Sequence, residues 1–197
     1  MQFNSYEGDY NMSNTSYDIS IDSKAGKLIF IVISIIATPI HELGHLLGYR
    51  LSGVPAKYSF ICTEPGNGSE SLLGVLGGPL IGLLLALVGC VCVYIFREKK
   101  QRFICIYFAI TMCFTRLVPY LLCILINPNG MFPINDEGLI AQSLNAPIWQ
   151  VYSFFTIVFI SILLFLKVIS GDYFYKCFKY GFLFYFVIMV LFEIKIY

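Results

Sequence analysis

The sequence predicts an all-α polytopic membrane protein with about five transmembrane helices and a short membrane-associated strand or hairpin element between the first two. Three observations support this fold class: 58% of the 197 residues are hydrophobic, only 13% are charged, and the mean hydropathy is +0.77. Soluble domains are about 45–50% apolar and about 25% charged. Too few polar residues remain here to cover a water-facing surface, so the composition excludes a soluble domain.

Charge and cysteine usage exclude two further classes of protein. The net charge is +1, and the basic residues cluster only in short loops that flank apolar segments, so no surface for nucleic acid is predicted. None of the seven cysteines forms a CxxC pair, and most lie within apolar runs, where they are predicted to pack as small hydrophobic residues. Neither a disulfide framework nor a thiolate zinc cluster is expected.

The chain divides into a polar tail and a transmembrane domain. Residues 1–24 are rich in Asn, Ser, Tyr and Asp, and we expect this tail to be flexible because it has little apolar surface to bury. Within residues 25–197, apolar segments are expected to cross about 30 Å of hydrocarbon at about 1.5 Å per residue. They cover residues 28–51, 72–96, 103–126, 151–166 and 181–192. The fourth is short, but Lys167 can snorkel and so lengthen it.

The sequence also predicts the structure of the connections between these segments. Residues 52–71 contain proline and glycine breakers around a strand-like stretch at residues 57–62, which predicts a hairpin or a re-entrant element. Residues 127–150 are predicted to be a mixed loop. The second segment opens with small residues that allow close helix packing against the first. These are Gly74, Gly77, Gly78 and Gly82.

The strongest chemical signal is His41-Glu42-Leu43-Gly44-His45 in the first segment. Histidines four residues apart share one face of a helix and can hold a zinc ion, while the glutamate between them reaches the water that the metal activates. Both histidines of the chain lie in this motif, and a chance match is expected on the order of once in a thousand sequences of this composition. Charge inside a membrane helix also costs about 2.5–3.5 kcal/mol, so Glu42 indicates function independently.

A catalytic zinc ion keeps three protein ligands, so the motif lacks one. The chain has no third histidine and its cysteines show no metal spacing, which leaves a carboxylate. Asp136, Glu137 and Glu70 remain after the tail and the exposed turns are set aside, and we expect Asp136, with Glu70 in reserve. Asp136 follows an Asn- and Pro-rich break, and unwound backbone beside a membrane helix is tolerated where it is buried in protein or lines a watery cavity.

Three stretches together resemble the site-2 protease family of intramembrane zinc metalloproteases. They are the HELGH motif in the first segment, Gly77-Gly78-Pro79-Leu80 at the start of the second, and the run from Asn129 through Pro133 to Asp136 and Gly138, which is similar to the family's Asn/Pro-rich stretch ending in Asp-Gly. The likeness covers roughly residues 28–145. Glu137 stands between Asp136 and Gly138, where the family has the two adjacent, so Glu137 could take the ligand position.

The resemblance implies a function and a site. His41, His45 and Asp136 would bind Zn²⁺, Glu42 would act as general base, and residues 57–62 would present the substrate. The expected reaction is hydrolysis of a peptide bond in or near a transmembrane segment of a membrane-protein substrate within the lipid bilayer.

Three more polar residues are candidates for contact with substrate or support of the ligands: Arg116, Glu137 and Asn129. An arginine within an apolar segment needs a partner or a function, so Arg116 could compensate Glu137, orient Asp136 or hold a substrate carbonyl. Alternatively, it could lie near a lipid headgroup at the end of its segment.

The alternative function is a non-hydrolytic membrane protein that keeps the metal site for structure or for metal handling. Glu42 and the three-ligand count favour the enzyme, because structural zinc sites are usually closed by four protein ligands. A small transporter ranks last, since the two halves of the chain show no repeat.

The sequence does not decide the membrane orientation. The positive-inside rule places nine flanking Lys and Arg residues in the cytoplasm and three outside when the loop at residues 97–102 is cytoplasmic. The family resemblance implies the reverse orientation. The oligomeric state is not predicted.

Overall fold

A computed structural model of the chain describes residues 20–68, 70–98, 101–126 and 135–193. Within these ranges the chain forms six α-helices and one antiparallel pair of strands. In chain order they are α1 (Lys24–Leu51), β1 (Ala56–Tyr58), β2 (Thr63–Pro65), α2 (Leu72–Ile95), α3 (Arg102–Ile126), α4 (Asp136–Ser143), α5 (Ile148–Ser170) and α6 (Tyr173–Glu193).

The predicted fold class is confirmed. Five helices, α1, α2, α3, α5 and α6, are long and apolar enough to cross a membrane, which is consistent with a multi-pass membrane protein. Between α1 and α2 the chain forms a hairpin in which Lys57 pairs with Glu64, so of the two predicted alternatives the hairpin is the one found. Large apolar side chains stay exposed on the outer helix faces, as lipid contact requires.

The α3 helix occupies the centre of the bundle. In an 18-residue stretch of α3, 67% of the residues are buried, against 33% in the corresponding stretches of α5 and α6. The Tyr107 ring of α3 stacks on Phe30 of α1 with a centroid separation of 3.7 Å, and its hydroxyl is hydrogen-bonded to Ser34 at 2.7 Å. Arg116 lies on the same central helix and is buried, so the protein surrounds it and the lipid-headgroup alternative is wrong.

The α1 and α2 helices approach each other through glycines. A Cβ atom added at Gly44 would lie 2.4 Å from the carbonyl oxygen of Gly77, and one added at Gly48 would lie 2.2 Å from that of Leu73. No real side chain tolerates such distances, so larger residues at these positions would push the two helices apart. The close approach holds the histidine motif against the first turns of α2.

Two regions differ most from the sequence-based expectation. The α6 helix begins at Tyr173 rather than at residue 181, because Phe174 and Cys177 supply an inward apolar face while Lys176 and Lys179 point outward.

The region predicted as a loop at residues 127–150 also contains a helix. It holds α4 and the first residues of α5, and residues 127–134 lie outside the described ranges. The side chain of Asn135 caps α4 by accepting a hydrogen bond from the backbone N–H of Gly138 at 3.2 Å.

The predicted polar tail falls largely outside the described ranges, since residues 1–19 are not described. Its last residue, Lys24, opens α1, and Ser23 caps that helix by accepting from the N–H of Gly26 at 3.0 Å. The adjoining Asp22 carboxylate accepts a hydrogen bond from Lys176 of α6 at 2.8 Å. The start of α1 is therefore tied to α6 by an exposed ion pair.

Candidate metal centre

The two histidines of the motif lie one helical turn apart on α1 and are both buried. Their rings face the start of α2 at Gly78. A Cβ atom at Gly78 would lie 2.2 Å from Nε2 of His45 and 2.6 Å from Nε2 of His41. The missing side chain at this position is what leaves room for both rings.

A third donor comes from the first residue of α4. The Oδ2 atom of Asp136 lies 3.0 Å from Nε2 of His41 and 3.2 Å from Nε2 of His45, and the two Nε2 atoms are 3.2 Å apart. Bonds of about 2.0–2.1 Å in tetrahedral geometry place the ligand atoms of zinc about 3.3 Å from one another. The three atoms are therefore spaced as the ligands of one tetrahedral ion would be.

The hydrogen bonds of the rings define which nitrogens carry lone pairs. Nδ1 of His45 lies 2.9 Å from the carbonyl oxygen of Gly74, which can only accept, so Nδ1 donates and Nε2 of the neutral ring is an acceptor. Nη1 of Arg116 can only donate and lies 3.1 Å from Nε2 of His41, so this nitrogen is an acceptor too. Two lone pairs and a carboxylate oxygen converge on one point, which is the chemistry of a cation site.

The second ring nitrogens of the two histidines differ in their surroundings. Metal-binding histidines usually donate their other N–H to a carbonyl or carboxylate, which fixes the ring. His45 follows this pattern through Gly74, whereas Nδ1 of His41 is buried without a hydrogen-bond partner among the described residues. Close packing against Gly78 restrains the His41 ring instead.

Glu42 lies on the same stretch of α1 and is half-buried. The ligand atoms of His41, Glu42 and His45 lie within 4.8 Å of one another, so this group could hold a metal ion. The backbone carbonyl of Glu42 accepts a hydrogen bond from the Thr63 hydroxyl of β2 at 2.9 Å, and the carbonyl of Pro39 accepts one from the Tyr58 hydroxyl of β1 at 3.2 Å. The hairpin is thus fastened to α1 beside the motif.

A cavity of about 190 Å³ lies between the motif and the hairpin. One part of its wall is lined by Glu42, His45 and Asp136, and another part by residues 61–63 of the hairpin. Glu70 also lines the cavity, but its carboxylate accepts a hydrogen bond from the Tyr49 hydroxyl rather than facing the histidine nitrogens.

Arg116 connects the two adjacent acidic residues of α4. Its Nη1 atom donates to Oδ2 of Asp136 at 2.8 Å, its Nε atom donates to Oε1 of Glu137 at 3.0 Å, and its Nη2 atom donates to the other oxygen of Glu137. Glu137 is completely buried. Burial raises the pKa of Asp136, but the positive charge of Arg116 outweighs it and holds that pKa well below its usual range.

The structure therefore brings together most of the residues singled out from the sequence. The two histidines form one group with Glu42, whose ligand atoms lie within 4.8 Å of one another, and their Nε2 atoms lie 3.0 and 3.2 Å from Oδ2 of Asp136. Glu137 faces Arg116 instead. Asn129, the remaining candidate, lies outside the described residues.

Sequence reasoning treated Gly74 and Gly78 only as packing residues and missed what they do at the site. Gly74 supplies the carbonyl that fixes His45, and Gly78 leaves space for both rings. Gly78 alone faces both imidazole rings, whereas a Cβ atom at Gly74 would meet the ring of Tyr49. The sequence pattern does not distinguish these two roles from helix packing.

Comparison of the chain with protein-family models, with curated proteins and with solved structures gives no match.

Proposed function

We propose that this chain is an intramembrane zinc metalloprotease that hydrolyses a peptide bond in or near a transmembrane segment of a membrane protein. One observation carries the proposal: Nε2 of His41, Nε2 of His45 and Oδ2 of Asp136 lie 3.0–3.2 Å apart, with Glu42 next to them, at a helix that is long and apolar enough to span a bilayer.

The donor set favours zinc over other metals. Two imidazoles and one carboxylate form a ligand set of catalytic zinc, whereas Mg²⁺ and Ca²⁺ are bound by oxygen ligands. Three protein ligands leave one position for water or substrate, which a closed structural site would not. Zinc bound there would supply a Lewis acid that activates water and polarises the scissile carbonyl.

In this proposal Glu42 acts as the general base, supported by its place beside the two histidines. It takes one proton from the attacking water as the water oxygen bonds to the carbonyl carbon, and it delivers that proton to the leaving nitrogen as the carbon–nitrogen bond breaks. His45 is kept in one orientation by the carbonyl of Gly74. The products are a carboxylic acid and an amine, as hydrolysis requires.

The hairpin and cavity fit an extended peptide as the substrate. A transmembrane helix hides its carbonyl groups in its own hydrogen bonds, so the segment to be cut must unwind locally. Strands β1 and β2 form a two-stranded sheet with free edges beside the cavity, and a free edge can bind an extended peptide through backbone hydrogen bonds. The resemblance of residues 28–145 to site-2 proteases supports the same reading.

The proposal is tested with Glu42→Gln in purified protein reconstituted into liposomes. Wild type is incubated with a library of single-span membrane helices, and the products are identified by mass spectrometry. Glu42→Gln should keep its zinc and lose about 10²–10⁴-fold in rate, because the amide cannot accept the proton. Glu98→Gln is the matched control, since Glu98 lies in the loop after α2, and it should cleave at the wild-type rate.

A Glu42→Gln protein with near wild-type turnover would refute this assignment of the base. A wild-type protein that binds zinc and cleaves no member of the library would favour the non-hydrolytic alternative.

A further inference from the structure

We propose that Arg116 is a catalytic residue that donates a hydrogen bond to the oxygen of the scissile carbonyl, and that Glu137 is the positioning residue that aims it. The inference rests on the proposed hydrolase function and adds the group that binds the charge developing on the substrate.

The nitrogens of the Arg116 guanidinium group contact two different parts of the site. Nε and Nη2 are both engaged by the carboxylate of Glu137 in a two-pronged pair, and this carboxylate is completely buried. Nη1 is the end that points at the metal centre, 2.8 Å from Oδ2 of Asp136 and 3.1 Å from Nε2 of His41. Since Arg116 is itself only 5% exposed, the pair with Glu137 fixes the direction of Nη1.

Nη1 carries two hydrogens, and only one of them keeps its acceptor once a metal ion is bound. The first is held by Asp136. The second faces the lone pair of His41, which the proposed function commits to zinc. A buried donor without an acceptor is unfavourable, so this hydrogen needs another partner.

The substrate brings that partner with it. The oxygen of the scissile carbonyl gains negative charge as water adds to the carbon, and a fixed N–H donor in a buried site stabilises this charge strongly. Nη1 lies beside the two ligand atoms that flank the reacting position, so it is within reach of this oxygen. Asp136 and Glu137 thus have different tasks: Asp136 faces the histidines and Glu137 directs the guanidinium.

A purely structural role for Arg116 predicts a different outcome. In that case the arginine only neutralises the buried Glu137, and removing both charges together would be harmless. Replacing a buried ion pair by apolar residues of similar size is often neutral for stability, so the two roles are separable by experiment. The double variant Arg116→Met with Glu137→Met removes the donor without leaving a buried charge.

The experiment measures five quantities for wild type and the double variant: zinc per chain, thermal midpoint, kcat and KM on a substrate found in the liposome assay, and the affinity for acetohydroxamate. Acetohydroxamate is a small metal-binding probe whose carbonyl oxygen can accept from Nη1. We expect unchanged zinc content and thermal midpoint, kcat lower by about 10²–10³-fold with KM within a few-fold, and acetohydroxamate affinity at least about tenfold weaker.

Wild-type kcat in the double variant would overturn the proposal, and so would loss of zinc, which would mean that Arg116 acts only through Asp136. If the double variant does not fold, Arg116→Lys decides, because it keeps a positive charge opposite Glu137 but lacks the planar fork. Wild-type kcat and acetohydroxamate affinity in Arg116→Lys would overturn the proposal. Failure of the hydrolase function itself is seen separately, in Glu42→Gln.

Discussion

Asp136 and Glu137 are adjacent, carry the same charge and differ by one methylene, yet they contact different groups. Successive residues of a helix point about 100° apart, so α4 turns one carboxylate towards the histidines and the other towards Arg116. The sequence identified both as candidate ligands together with Glu70. Which of the two carboxylates faces the histidines depends on Arg116, which is 21 positions away from Glu137 on another helix. A local sequence pattern cannot reveal a contact over that distance.

The first prediction concerns the third ligand. Asp136→Asn should weaken zinc binding more than Glu137→Gln does, because a neutral amide oxygen is a poorer ligand for a dication than a carboxylate. Removal of a group that only supports a ligand costs about 10–100-fold in metal affinity, and Glu137→Gln should stay within that range. Competition with a zinc-selective fluorescent chelator measures the zinc affinity of both variants and of wild type.

Glu70→Gln is the matched control and should bind zinc as wild type does, because Glu70 is engaged by the Tyr49 hydroxyl. Loss of zinc in Glu70→Gln with retention in Asp136→Asn would mean that the site is built from the start of α2.

At the scale of the elements, the site depends on how closely α1 and α2 pack. The sequence identified the glycine-rich start of α2 as a packing surface, because small residues are the general means of close approach between membrane helices. It could not identify α4, since this eight-residue helix has no apolar periodicity and is specified by the Asn135 cap and by contacts made in the folded protein. The early start of α6 was also missed, because its first turns mix lysines with apolar residues.

The second prediction tests this packing with two alanine substitutions in one helix. Gly78→Ala should remove most of the bound zinc, since its Cβ atom would collide with both imidazole rings. Gly82→Ala, one turn further along α2, should keep zinc and activity because its Cβ atom would lie 3.4 Å from the Thr115 hydroxyl, an ordinary contact. Zinc content and circular dichroism of both variants are the measurements. Full zinc retention in Gly78→Ala would contradict the described approach of the helices.

At the scale of the whole molecule, the described residues form five helices that are long and apolar enough to cross a membrane. If each of them is a span, consecutive loops lie on alternating sides. Composition and hydropathy suffice to predict five such helices, because a bilayer requires every spanning helix to be long and apolar. The placement of the hairpin beside the HELGH motif was not predictable from pattern alone, since it depends on the hydrogen bonds from Tyr58 and Thr63 to carbonyls of α1.

The third prediction is that Cys62, in the exposed turn of the hairpin, and a cysteine introduced by Gln101→Cys react with a membrane-impermeant maleimide from opposite sides. One span, α2, separates the two positions. In sealed, oriented vesicles, only one of them should react before the membrane is permeabilised. The one that reacts decides between the two orientations, and reaction of both from the same side would contradict the topology.

The most direct test of the central claim is zinc K-edge X-ray absorption on the purified wild-type protein, combined with metal analysis. We predict about one zinc per chain, bound by two imidazole nitrogens and by oxygen at about 2.0–2.1 Å, without a sulfur ligand. His41→Ala or His45→Ala should lose most of this zinc, because two protein ligands hold the ion less firmly than three. Protein that binds no zinc, or zinc bound through sulfur at about 2.3 Å, would contradict the account.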